Sequence, residues 1–178
     1  MITVNKAKNR EIPLIFFLYR SAFPRYERKP FSRITSMAKA GRADLWTIRA
    51  DGRFAGLAAT VNSPEIVLLD YFAVKRQLRG RGVGSEALKG LMDHYRDRGL
   101  FVEIESTFEA ADNLPERQKR KRFYVNCGME PMGTEADLFG VRMELLGVRC
   151  HLDFERYRSF YRDHYSPRAA EHVREVQP

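Results

Sequence analysis

Residues 79–85, Arg-Gly-Arg-Gly-Val-Gly-Ser, stand between the apolar run Ile66 to Val74 and a helical stretch from Glu86 to Arg98. Alternating glycines at 80, 82 and 84 let backbone N–H groups crowd around an anion with no Cβ in the way. A helix opening directly behind them adds the positive end of its dipole. Arg79, Arg81 and the nearby Lys75 and Arg76 raise the local positive charge further. This is chemistry for a pyrophosphate. Three carboxylates form a second group. Asp70 shares strand parity with Phe72 and Val74, and Glu103 and Glu105 share one face of a later strand. Acids on strands that converge at a cleft can take a proton from an amine or bind a cationic substrate. The plainer alternative is a solvated rim, or strand ends paired with arginines. A Glu-x-Glu pair on one face of an interior strand needs partners in either case. A third group, Arg117 to Phe123, holds five positive charges in seven residues. Such a run can meet phosphate or nucleic acid. Only Phe123 and Tyr124 accompany it, no nucleic-acid module surrounds it, and a solvated helix face is the stronger reading. His94, His151, His164 and His172 lack metal-ligand spacing, so no metal site is expected.

These groups must be held by a fold, and the chain spells out most of one. Ile2 to Val4 reads as a first strand. Ile12, Ile15, Phe16, Tyr19 and Phe23 recur at helical spacing up to Pro24, and Phe31 to Ala40 forms a second helix closed by Gly41. Leu45 to Ala50 and Phe54 to Val61 are strands joined by Asp51-Gly52, a strong hairpin signal. Ile66 to Val74 adds another strand, completing an antiparallel meander. Leu88, Leu91, Met92 and Tyr95 give the next helix one apolar face, and Gly99 is expected to close it. Phe101 to Ser106 is a strand. The next helix starts near Asn113 and Leu114 with Pro115 in its first turn, and ends at Cys127-Gly128. Met129 to Met132 and Phe139 to Leu146 are the last strands, around a loop at Gly133 to Asp137. Phe154, Tyr157 and Tyr161 mark a C-terminal helix with an aromatic face, and residues after Ser166 are expected to fray.

Length and composition set the frame. The chain has 178 residues, 44% hydrophobic and 30% charged, with a net charge of +8. That describes one globular domain and suits a polyanionic ligand or an acidic partner. Cys127 and Cys150 form no CxxC or longer framework, which favours a reducing compartment. The apolar run Ile12 to Tyr19 is too short for a membrane span and is followed by no small-residue cleavage site. A cytoplasmic protein without membrane contact is expected.

Three phosphate-binding designs compete for the glycine turn. Gly82 to Ala87 fits the dinucleotide pattern G-x-G-x-x-A, with Glu103 roughly 20 residues on. That pattern belongs to a run of βαβ units, whereas here a meander precedes it. A P-loop fails because no Lys-Ser or Lys-Thr follows the glycines. The third design is coenzyme A. Arg79-Gly80-Arg81-Gly82-Val83-Gly84 satisfies Q/R-x-x-G-x-G/A, and Gln77 to Gly82 satisfies it one frame earlier. Leu69 to Val74 precedes it with a terminal Ala73-Val74, and Phe123-Tyr124 lies four residues before Gly128-Met129. In these residues and in the order of its elements over 1–146, the chain resembles the GNAT superfamily of N-acetyltransferases. It departs from that pattern at Met129, where the family has Phe, and at Arg117, where it has Asn.

The resemblance implies an α/β (α+β) GNAT fold, a mixed twisted sheet of six to seven strands with helices on both faces. Residues 1–150 would form the acetyltransferase domain, with 151–178 a C-terminal helix and tail packing on it. The implied reaction is direct transfer of acetyl from acetyl-CoA to an amine acceptor, small molecule or peptide, with no metal. Pantetheine would run along Phe72, Ala73 and Val74, and the pyrophosphate would rest on Arg79 to Ser85. The helix carrying Arg117 and Arg120 would reach the 3′-phosphate. Tyr124 would protonate the departing sulfur, and Asp70, Glu103 or Glu105 would take the amine proton. A core role is the plain alternative for Tyr124. For the aromatic C-terminal helix the plain reading is also core, with a lid or a homodimer contact as the alternatives. The different-class alternative is a non-catalytic acyl-CoA-sensing or nucleic-acid-binding module on the same fold.

Overall fold

Asp51 and Gly52 both take positive φ, 48° and 75°, the twist that a two-residue hairpin between right-twisted strands requires. They join β2 (Ala43–Ala50) to β3 (Arg53–Asn62), with β1 (Ile2–Lys6) antiparallel to β2 and β4 (Ile66–Val74) antiparallel to β3. The computed structural model describes residues 1–176; the end of the C-terminal segment, 177–178, lies outside the described residues. The chain divides into two compact units, Met1–Ser63 with Val67–Arg96, and Pro64–Ile66 with Asp97–Pro178.

In the first unit the order β1-β2-β3-β4 carries helices on both faces. Ile15 and Tyr19 of α1 (Ile12–Ala22) and Ile34 of α2 (Phe31–Lys39) pack on Leu45, Leu57, Ala59, Tyr71 and Ala73. Val83 and Ala87 of α3 (Val83–His94) pack with Ile48, Ala55 and Val74 in a second core. α3 begins three residues before the expected Glu86 and ends at His94, so Gly99 does not close it. Gly99 instead opens the next strand, buried where a Cβ would lie 2.4 Å from that of Cys150.

The second unit has the order β5-β7-β6-β8, all antiparallel. Its strands are β5 (Gly99–Glu105), β6 (Glu130–Leu138), β7 (Val141–Val148) and β8 (Val173–Glu175). The segment expected to loop at 133–137 is strand, with a register shift between Pro131 and Glu135. The turn falls at Phe139-Gly140, both at positive φ. On the β5 face that carries Phe101, α5 (Phe154–His164) packs the ring of Phe160 edge-on at 5.1 Å. On the opposite face, which Ile104 shares with its cross-strand partner Glu144, Lys121 of α4 (Leu114–Asn126) reaches that glutamate. The residues after Ser166 form α6 (Pro167–Ala170) and β8 rather than fraying, because Ser166 accepts the Ala169 N–H as a cap. The described residues thus hold eight strands, against the six or seven expected.

Candidate active site

Past Val74 a single 3₁₀ turn at Arg76–Leu78 leads into the glycines. Gly80 and Gly82 adopt φ of 73° and 78°, the left-handed region where a side chain is strained. Gly82 is the N-cap of α3 and supplies no side chain to it. The first bond of the ladder runs from Glu86 N–H to the Gly82 carbonyl at 3.0 Å. The amides of Val83, Gly84 and Ser85 therefore have no intrahelical acceptor and stand at the positive end of a 12-residue helix. Arg79 turns its Nε back to the Val74 carbonyl at 3.0 Å, tying the turn to the end of β4. Arg76 and Arg81 remain exposed. Orphan amides, left-handed glycines and exposed arginines together fit a pyrophosphate.

The acids fall into different surroundings. The β3–β4 register pairs Thr60 with Leu69 and Ala59 with Tyr71, so Asp70 is the extra residue of a bulge. Parity with Phe72 and Val74 is broken there. Asp70 joins Tyr71 on the side of the α1–α2 connection, where Lys29 Nζ meets its Oδ1 at 2.6 Å. In the second unit Glu103 accepts hydrogen bonds from Tyr157 and Tyr161 of α5, at 2.9 and 2.8 Å on Oε1, and a further 3.1 Å contact from Tyr161 on Oε2. Glu105, on the same face, is met by Arg117 at 3.2 Å and Arg120 at 3.5 Å. Arg117 also holds Asn113 Oδ1 and the Ser106 carbonyl, fastening α4 to the end of β5.

Tyr124 is the buried residue of α4, only 8% exposed, with its ring 5.1 Å from that of Phe123. Burial pushes its phenol up to about 12, against a lowering by Arg120. Among the described residues its hydroxyl makes no hydrogen bond, yet the oxygen is not sealed off. Among the described residues the one enclosed side-chain polar atom without a partner is Nε of Arg28. Gly128, at φ 98°, ends α4 in the left-handed cap foreseen for it.

The structure thus gathers Arg79 to Ser85 behind Phe72–Val74 in the first unit, and Glu103, Glu105, Arg117 and Arg120 around β5 in the second. Sequence reasoning missed three partners: Lys29 on Asp70, the tyrosine pair on Glu103, and Lys121 on Glu144. The i, i+4 spacing of Tyr157 and Tyr161 was a signal for two hydroxyls on one helix face. Nothing local marked Lys29. Among the described residues no group of three His, Cys, Asp or Glu is arranged to hold a metal, and no helix is long and apolar enough to cross a membrane.

Comparison with known proteins bears on the family. No curated protein matches the sequence. A GNAT-family protein from Bacteroides thetaiotaomicron shares the fold with a TM-score of 0.74 at 18% identity, over 90% of this chain and 94% of that one. A ribosomal-protein alanine N-acetyltransferase from Escherichia coli gives 0.65 at 16%, over 85% and 96%. The spermidine N-acetyltransferase of Vibrio cholerae, solved with CoA and spermine, gives 0.65 at 11%, over 83% and 94%. The sequence profile described as the acetyltransferase (GNAT) family matches residues 12–129, which include the glycine turn, the three acids and Tyr124, and the chain belongs to that family of acetyltransferases.

Proposed function

We propose that the protein moves an acetyl group from acetyl-CoA to the nitrogen of a cationic amine by direct transfer, in the cytoplasm. Residues 1–150 carry the reaction, and 151–178 pack on them as the C-terminal helix and tail. The observation that carries this reading is the turn at Gly80–Ser85, with its two left-handed glycines and three amides free of the helix. The amides of Val83, Gly84 and Ser85 hold the pyrophosphate, and Arg79 and Arg81 supply positive potential beside it. Backbone groups of Phe72, Ala73 and Val74 orient the pantetheine arm and leave an amide for the thioester oxygen.

Acetyl-CoA supplies the activated acyl group. The ammonium first loses one proton to solvent, which frees the nitrogen lone pair. Glu103 receives the second as the amine nitrogen bonds to the carbonyl carbon, and Tyr124 donates to the sulfur as the C–S bond breaks. The products are the N-acetylamine and coenzyme A. Among the three acids Glu103 fits the base because fixed neutral hydroxyls hold its carboxylate. Glu105 faces two arginines and organises α4. Asp70, which already faces an ammonium, fits acceptor binding. The Vibrio cholerae neighbour acts on spermidine, consistent with a small cationic acceptor.

Titration of acetyl-CoA by calorimetry, followed by thiol release across a panel of amines, tests the reading. Wild-type protein should bind acetyl-CoA and release thiol only when an amine is present. Failure to bind acetyl-CoA, together with tight and steeply salt-dependent binding of a short duplex, would replace it with a nucleic-acid module.

A further inference from the structure

The connection between α1 and α2 is fastened to β4 through its backbone. Tyr19 donates to the Lys29 carbonyl at 2.8 Å, and Tyr71 donates to the Glu27 carbonyl at 3.0 Å while accepting the Lys29 N–H at 3.0 Å. Burial pushes both phenols up, so they stay neutral donors across the working range of pH. These bonds hold the main chain without help from the lysine side chain. That side chain folds inward nonetheless. Its ammonium sits 2.6 Å from Asp70 Oδ1 and 5.7 Å from the centroid of the Tyr71 ring. The carboxylate is 9% exposed and the lysine side chain 26%, so solvent reaches the pair from the lysine side.

We propose that Asp70 and the face of Tyr71 form a seat for a primary alkylammonium, filled here by Lys29 of the same chain, and that the acceptor takes the seat by displacing that side chain. The inference rests on the amine-acetyltransferase reading and names the acceptor class. Three features shape the seat for such a group. One carboxylate oxygen and one ring face suit a compact point charge, whereas a guanidinium calls for a planar two-pronged partner. The present occupant is itself an unbranched alkyl chain ending in a primary ammonium. The bulge that turns Asp70 to this side leaves Phe72 two positions on, about 7 Å along the strand, so the seat lies close to the stretch proposed to orient the thioester. Beside it, Arg28 keeps a buried Nε without a partner and reaches the Arg20 carbonyl only at 3.4 Å.

An occupant within the chain lowers apparent affinity by the fraction of time it holds the site. If Lys29 holds the seat for nine-tenths of the time, removing its charge tightens an outside ammonium about 10-fold. Calorimetry on the full chain, without coenzyme, uses n-butylamine and a lysine-containing peptide as probes and 1-butanol as the uncharged control. Lys29→Met and Lys29→Gln should each bind n-butylamine about 10-fold more tightly than wild type, on the same arithmetic. Asp70→Asn should abolish binding, and 1-butanol should bind to none of them. Tightening for the free amine alone identifies a small alkylamine, and tightening for the peptide as well identifies a lysine side chain. Unchanged or weaker binding by both Lys29 variants, with folding confirmed by circular dichroism, overturns the seat and leaves Lys29 a structural staple. Failure of wild type to bind acetyl-CoA would instead remove the acetyltransferase reading and leave the ammonium measurement standing.

Discussion

Replacing Tyr124 by phenylalanine isolates what its hydroxyl does. With the phenol pushed up to about 12, it is protonated at neutral pH and is in the right state to donate. The same value limits the role. An unperturbed thiol titrates near 8.5, so complete transfer of the phenolic proton to a thiolate runs uphill by about 3.5 pH units, roughly 5 kcal/mol. In the proposed reaction Tyr124 acts mainly as a hydrogen-bond donor to sulfur as charge develops, and the departed thiolate takes up its proton from solvent afterwards. A hydrogen bond to a charged group contributes about 1.5–3 kcal/mol. Its loss should lower kcat by about 10- to 150-fold.

Affinity for acetyl-CoA should hardly change, because the ground-state thioester sulfur carries no charge. Nor should folding suffer, since the hydroxyl has no partner among the described residues and its removal orphans nothing. The assay is thiol release at saturating acetyl-CoA and amine, with acetyl-CoA binding measured separately by calorimetry. The neutral phenol is the active form, so it imposes no loss of activity until pH rises toward about 12. A fall in kcat of less than about threefold, below the weakest bond of this kind, would remove Tyr124 from the reaction. An equal fall in acetyl-CoA affinity would make it a packing residue.

Tyr157→Phe with Tyr161→Phe removes both hydroxyls from Glu103 and should reduce kcat about 10-fold or more without weakening acetyl-CoA binding. The same pair should have no further effect in a Glu103→Gln background; an undiminished loss there would trace it to packing instead. Lys121→Met leaves Glu144, 5% exposed, without its cation, which should cost about 3–5 kcal/mol in denaturant unfolding; adding Glu144→Leu should restore most of it. Burial raises the Glu144 carboxyl, but the bonds from Lys121 and Thr107 outweigh it and hold it below its ordinary 4.5. Its stabilisation is complete above pH 4.5 and is lost as pH falls through the lowered value, so wild-type melting should drop in that window while Lys121→Met, which keeps only the Thr107 bonds, should show a smaller drop. Gly82→Ala puts a side chain at φ 78° with nothing within 4 Å of the new Cβ, a backbone penalty of about 1–2 kcal/mol. It should also weaken acetyl-CoA by more than 10-fold, since relieving the strain reorients the amides behind it; lost stability with intact affinity would exclude this turn as the phosphate cradle.

Most elements were legible because the helices show an apolar period, as Leu88, Leu91 and Met92 do in α3, and the inner strands are near-continuous apolar runs between turn residues, as in β3. The misreadings have physical sources. Gly99 looked like a helix terminator, but it is glycine because the Cys150 side chain presses on it, which no local pattern reveals. Gly133 suggested a loop, and β6 runs through it by shifting register. The glycine turn was legible because left-handed backbone and open amides demand one residue type at fixed spacing. The settings of the acids were not. Lys29 lies 41 positions from Asp70, and Tyr157 and Tyr161 lie 54 and 58 from Glu103. A bulge at Asp70 reverses its side, and no turn residue in Ile66 to Val74 marks the extra position.

The distribution of charge separates the two phosphate-seeking features. The run from Arg117 to Arg122 is the denser in sequence and looks the better match for a polyanion. In the fold, Arg117 and Arg120 meet Glu105, and Lys121 meets Glu144, leaving Lys119 and Arg122 without an ion pair among the described residues. A helix whose cations hold the acids of its own unit has little field left for a second polyanion. The glycine turn has fewer cations, but Arg76 and Arg81 form no ion pair among the described residues, and three amides with the end of a helix dipole point the same way. An anion at the turn meets donors already oriented and unclaimed, whereas at α4 it would compete with the half-buried Glu105 for the arginines that fix the strand end. Local density of basic residues and the supply of unclaimed donors thus rank the two features in opposite orders, and the proposed pyrophosphate site follows the unclaimed donors.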